Sequence, residues 1–211
     1  KNFEIIKHDR TKALSRGILV ASQKVPAHII YKGKKFRSKI RLKGDLPNHW
    51  AVNKQWSLKI ELKDKKSIDG MKEFSITKLA ERRFPDNLLI ANQFKRLNLI
   101  SSNFKIYKVK INGVNWGLMI AEEQFSNVFL ENRKLKDGLI FKFTNQKDFF
   151  LKKFLVKDKS ISQQILTDKQ GVIEIDIFNK KKVNQIKYFQ DHETIIKSIS
   201  SILNSNYQEI E

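Results

Sequence analysis

At 211 residues and 24.8 kDa the chain has room for one large domain or one and a half small ones. Apolar residues at 40% exclude a disordered composition, no apolar run reaches the roughly 18 residues of a membrane-spanning helix, and the absence of Cys removes disulfides, zinc thiolates and a cysteine nucleophile. The 42 basic against 22 acidic residues leave a charge of +20, a field that draws phosphates of any kind. Of the basic residues 34 are Lys and 8 are Arg, the reverse of what bidentate phosphate or base recognition favours, so solvated surface lysines explain the excess as readily as a polyanion groove.

In chain order, Ala27–Tyr31 and Phe36–Leu42 are strand-like runs joined by Lys-Gly-Lys-Lys at 32–35. Gln55–Leu62 alternates cleanly, with Trp56, Leu58, Ile60 and Leu62 on one face and Gln55, Ser57, Lys59 and Glu61 on the other. A turn at Asp69-Gly70 leads into a strand over Met71–Thr77. Pro85 then opens a helix whose stripe is Leu88, Leu89, Ala91, Phe94 and Leu97. Phe104–Ile111 and Asn115–Ala121 flank Asn112-Gly113, the strongest hairpin signal in the chain. A short helix around Gln124–Asn132 and a strand over Leu139–Phe143 follow. Beyond Asn145 the patterning weakens: Phe149–Val156 mixes basic and apolar residues, Gly171–Phe178 suits a strand, and Val183–Leu203 suits a helix. The chain opens at Lys1 rather than Met and closes on polar residues from Asn204, and so reads as a piece of a longer or processed protein.

His8, His28, His49 and His192 lack metal-ligand spacing, and no P-loop, nucleophile elbow or zinc-protease motif occurs. The most informative constellation is basic. Lys39, Arg41 and Lys43 share one face of a strand that ends at Gly44, and pairing with Gln55–Leu62 would put Arg41 and Lys59 on one polar sheet face. That arrangement is either a polyphosphate cradle beside a glycine turn or a half-solvated antiparallel sheet. Glu122-Glu123 reads as the acidic start of a helix or a site carboxylate; adjacent strand residues point to opposite faces, so at most one would face a site. Trp56 lies in the apolar register of its strand, while Trp50 and Trp116 could be core residues or base-stacking platforms.

Taken together, Arg-Leu-Lys-Gly-Asp, Lys-Gln-Trp-Ser-Leu-Lys-Ile, Gly-Met-Lys-Glu-Phe-Ser-Ile, a helix, an Asn-Gly hairpin with Gly117, Glu-Glu-x-Phe and Asp-Gly-Leu-Ile-Phe-Lys-Phe stand in a distinctive order. Over roughly residues 36–145 this order resembles the CotH-type (spore coat protein H) kinase-like family. The resemblance implies an α+β fold: an antiparallel-sheet kinase-like N-lobe with one packed helix over residues 1–145, its N-terminal part a preceding extension, then a partial, mostly helical second lobe over 146–211. It implies binding of ATP with Mg²⁺ and phosphoryl transfer to secreted or envelope proteins, hence an extracytoplasmic or cell-envelope setting. By position, Lys59 would hold the nucleotide phosphates (Lys54 as fallback), Arg41 and Gly44 would lie near the phosphate-binding turn, and Glu122 or Glu123 would sit at the link between lobes.

The chain departs from the family where catalysis is concerned. Leu88 stands where many relatives carry a helical glutamate, and Leu88–Arg96 contains none. Asp148, Asp158, Asp168, Asp176 and Asp191 have no matching context, so no catalytic residue and no metal ligand is assigned. Phosphoryl transfer needs metal-bridging carboxylates. The chain alone is therefore expected to be inactive, as a truncated kinase or a pseudokinase. The rivals are a non-enzymatic basic module for nucleic acid or an anionic cell-surface polymer, and a structural envelope or coat protein with a degenerate kinase fold.

Overall fold

The computed structural model describes residues 1–64, 66–135, 140–144, 174–177, 194 and 196–201. Two compact units divide the chain, Lys1–Lys136 and Asp137–Glu211.

The first unit opens with α1 (Asn2–Arg16), which composition did not reveal. It is followed by β1 (Val25–Tyr31), β2 (Lys34–Leu42), β3 (Leu58–Leu62), β4 (Glu73–Lys78), α2 (Asp86–Arg96), β5 (Phe104–Ile111), β6 (Val114–Glu123) and α3 (Asn127–Glu131). All pairings are antiparallel, in the order β1-β2-β3-β4-β6-β5. Lys32 and Gly33, and again Asn112 and Gly113, take positive φ, the conformation that two-residue hairpin turns need to match strand twist. The expected start of β3 at Gln55 shifts to Leu58, because Gln55 turns to φ 61 and its side chain donates to the Leu118 carbonyl.

Alternation sends Leu42, Leu58, Ile76 and Ala121 to one face in direct cross-strand register. There they form a core with Ile6 and Ala13 of α1. Phe3 stacks on Trp56 at 5.7 Å and meets Trp116 edge-on at 6.4 Å. Arg10 donates to the carbonyls of Trp50 and Val52 and lies over the Trp56 ring. Asp9, buried, accepts from the Gln23 amide at 2.7 Å. The helix is thus both an apolar cover and a polar brace.

The sheet curls until its two edge strands meet at one end. Tyr31 of β1 and Tyr107 of β5 contact edge-to-face at 5.6 Å, and both hydroxyls donate to Asp69 Oδ2, at 2.8 and 2.7 Å. These bonds hold the Asp69 carboxyl below its ordinary range, Tyr107 contributing most, while burial and then Asp69 push the Tyr107 hydroxyl up. Glu61 is pulled down to about 2, first by its hydrogen bond from Lys63 and then by Lys24. A carboxyl depressed in the folded state adds stability that is present above its unfolded pKa, about 4, and is lost as pH falls through the folded value. Melting temperature is therefore expected to hold from pH 7 to about 4.5 and to drop steeply toward pH 2. Melts of the wild type and of Asp69→Asn across that range check it: the variant should start lower and fall less.

One expectation needs correcting. The stripe of α2 does not form a packed core face: only Ala91 is buried, and Leu89, Phe94 and Leu97 stay exposed. The core is already filled from the other end of the sequence by α1. The helix expected at Gln124–Asn132 is the shorter α3, with Ser126 capping the Phe129 amide.

In the second unit, β7 (Phe141–Thr144) pairs antiparallel with β8 (Glu174–Ile177). Thr194 and residues 196–201 are helical, inside the helix expected over Val183–Leu203. The Phe149–Val156 segment lies outside the described residues.

Candidate nucleotide-binding face

The face of the sheet turned away from α1 carries the polar register. Arg41 on β2, Lys59 on β3, Ser75 on β4 and Glu122 on β6 stand in one cross-strand row. Three of the residues expected from sequence, Arg41, Lys59 and Glu122, are thereby brought onto one face. Lys43, one step beyond β2, reaches into the row: its Nζ donates to Ser75 Oγ at 2.8 Å and lies 3.9 Å from Glu122. Lys59 Nζ lies 3.6 Å from Glu73. Gln124 donates to Ser75 Oγ at 3.4 Å. Arg41 turns its guanidinium to the Leu42 carbonyl.

These charges are not loosely solvated. The side chains of Lys43, Glu122 and Lys59 are only 21–22% exposed and that of Glu73 30%, so the ammonium groups sit where Coulomb attraction is screened less than on an open surface. Lysines alternating with carboxylates around a central hydroxyl can bind an anion if it replaces a carboxylate as the partner of an ammonium. Ser75 is absent from the sequence reading, and Lys43, part of the basic strand face there, is not among its assigned site residues. The alternation through Arg41 and the register through Lys59 point to both.

Glu123 goes to the opposite face, as its adjacency to Glu122 dictates. It is buried, accepts from Arg133 Nη2 and from Asn103 Nδ2, both at 2.7 Å, and bonds the backbone at Asn103. Arg133 also donates to the carbonyls of Phe129 and Ser101. Every geometric partner of Glu123 is thus internal.

Gly44 also has an internal partner. It takes φ +93, and a Cβ there would overlap the His49 ring. Its carbonyl accepts from Trp50 Nε1 at 2.9 Å. His49 Nδ1 is 2.9 Å from Ser57 Oγ and 3.8 Å from Glu81, which also pairs with Lys78 at 2.9 Å and takes a hydrogen bond from Asn48. A Lys–Glu pair therefore forms at the end of β4, its carboxylate supplied by Glu81 ahead of α2 and not by α2 itself. Lys54 stands in the loop between β2 and β3, outside the cross-strand row.

Trp50, Trp56 and Trp116 are all buried, which leaves none of the three as a stacking platform. No group of three acidic or histidine side chains gathers among the described residues. Of the late aspartates, Asp176 lies in β8, and Asp148, Asp158, Asp168 and Asp191 lie outside the described residues. No helix among the described residues is long and apolar enough to cross a membrane.

A curled antiparallel six-stranded sheet with few helices and a charged face fits the N-lobe of a kinase-like protein. The sequence profile described as CotH kinase protein matches residues 40–211, well over half of the chain, and the chain belongs to that family. Comparison with curated proteins gives no match.

Proposed function

We propose that the first unit binds the polyphosphate of ATP on the Arg41–Lys59–Ser75–Glu122 face, and that the full-length protein transfers phosphate to secreted or envelope proteins. The observation that carries this reading is the sheltered pair of lysines, Lys43 and Lys59, on a face that belongs to a kinase family. In this reading Lys59 and Lys43 take phosphate oxygens, Arg41 adds positive field at the strand end, and Glu122 rather than Glu123 faces the ligand. Gly44 shapes the adjoining turn by admitting His49, which is an indirect contribution. Mg²⁺ fits less well than phosphate: the carboxylates beside Lys43 and Lys59, Glu122 and Glu73, are each engaged by a lysine, so the ion would enter on the nucleotide and neutralise its phosphates. The basic-module rival loses its stacking platforms with the burial of the tryptophans.

The test is thermal. Ligand at ten times its Kd adds about 1.4 kcal/mol, which for a chain of this size is about a 3–6 °C rise in Tm. ATP with Mg²⁺ is expected to produce such a rise, Lys59→Ala to abolish it, and Lys12→Ala on the exposed side of α1 to leave it intact. A folded wild type that shows no shift at millimolar ATP would sink the proposal.

A further inference from the structure

Between β1 and β5 the curled sheet leaves a groove of about 1100 Å³. Its walls are unusual in kind. Val25–Tyr31 and Ile106–Ile111 line it as unbroken runs, so the edges of the two strands border it together with the inner sheet face behind them. These are the two outermost strands of the sheet, and among the described residues each has a sheet neighbour on one side only. Its floor is apolar, from Ile40, Ile60 and Phe74. Three lysines, Lys1, Lys108 and Lys110, line it, and among the described residues no carboxylate does. The Tyr31–Asp69–Tyr107 hydrogen bonds tie the two walls together at one end.

An alkyl chain would cover the apolar inner face but leave the edge N–H and C=O groups of β1 and β5 unsatisfied. A β-strand would meet them with its own donors and acceptors. We infer that the groove receives one extended peptide segment of a partner, inserted between β1 and β5, with alternate apolar side chains on the Ile40–Ile60–Phe74 floor and acidic side chains toward Lys108 and Lys110. The part of β1 left to pair, Ala27–Tyr31, spans roughly 17 Å, which sets the paired segment at about five residues. Asn2 already donates to the Pro26 carbonyl at 2.8 Å, and Pro26 has no N–H, so pairing runs from Ala27 onward. The inference is independent of nucleotide binding, because the groove shares no residue with the Arg41–Glu122 row.

The probe is the synthetic peptide acetyl-Val-Glu-Val-Thr-Val-Glu-Val-Thr-amide, followed by amide hydrogen exchange of the full chain. Slowed exchange is expected in both 27–31 and 106–111. A version N-methylated at alternate residues should lose this protection, since it lacks the donors for one wall. Replacing Glu by Lys in the peptide should weaken binding about tenfold, and Lys108→Glu with Lys110→Glu, two exposed positions that spare the core, should reverse that preference. Protection at neither edge, equal binding of the N-methylated peptide, or edge protection that grows with protein concentration in peptide-free samples (a second copy in the groove) overturns the inference. Palmitate binding in the groove with no change in backbone exchange would overturn it in favour of an apolar ligand.

Discussion

Gly44→Ala is expected to lower the unfolding free energy by about 3 kcal/mol, the sum of a left-handed backbone forced on a Cβ-bearing residue and overpacking against a ring. For a chain of this size that corresponds to a fall in Tm of about 6–12 °C. The cause is local: φ is +93, and the added methyl would enter the space of His49. The His49 ring cannot simply swing away, because Nδ1 is held at Ser57 Oγ and Glu81 lies beside it. In a His49→Ala background the ring overlap is removed but the residue-49 Cβ stays 2.6 Å from the added methyl, so the cost falls yet stays above the backbone part of about 1–2 kcal/mol. Urea unfolding of the two single variants and the double variant measures the coupling. Strict additivity would show that the ring is not the obstacle.

Glu123→Ala is expected to cost about 3–5 kcal/mol, the range for removing one partner of a buried ion pair. The carboxylate joins β6, the Ser101–Asn103 segment and α3 through Arg133, so its loss leaves the Arg133 guanidinium with only the two carbonyls it already meets. Glu123→Gln keeps the shape and part of the bonding, and should cost less than half as much. Replacing the pair together with well-packed apolar residues should recover much of the loss. Denaturant unfolding with ATP titration separates this from a ligand role. The expected result is a lower midpoint with nucleotide affinity per folded molecule unchanged, whereas Glu122→Ala should show the converse.

The strands were legible because their patterning is short-range. Leu58, Ile60 and Leu62 alternate on a half-buried sheet, and Asn112-Gly113 can hardly be anything but a tight turn. The polar row was legible for the same reason, since parity along Arg41 and Lys59 survives any small error in strand ends. What resisted reading depends on partners remote in sequence. The apolar positions of α1 are few, and their meaning lies in Trp56 and Trp116, more than fifty residues away. The exposed stripe of α2 has the spacing of a core helix, yet the core place was taken by α1. Glu122 and Glu123 could be told apart only in principle from alternation; which one faced the lysines had to wait for Arg133 to appear on the other side. The Lys78–Glu81 pair escapes a reading that looks for the glutamate on α2, because Glu81 stands ahead of that helix and α2 itself carries none.

The family match begins at residue 40, near the end of β2, whereas the sheet and its core begin at α1. The recurring evolutionary segment and the physical folding unit therefore have different left-hand borders. A piece cut at the sequence border would retain barely three residues of β2, lose β1 and expose β3 as a raw edge. It would also strip Phe3 from two tryptophans and leave the Trp50 and Val52 carbonyls without Arg10. In this protein the first forty residues supply an outer strand and part of the core, and the groove between β1 and β5 exists only because they form one of its banks.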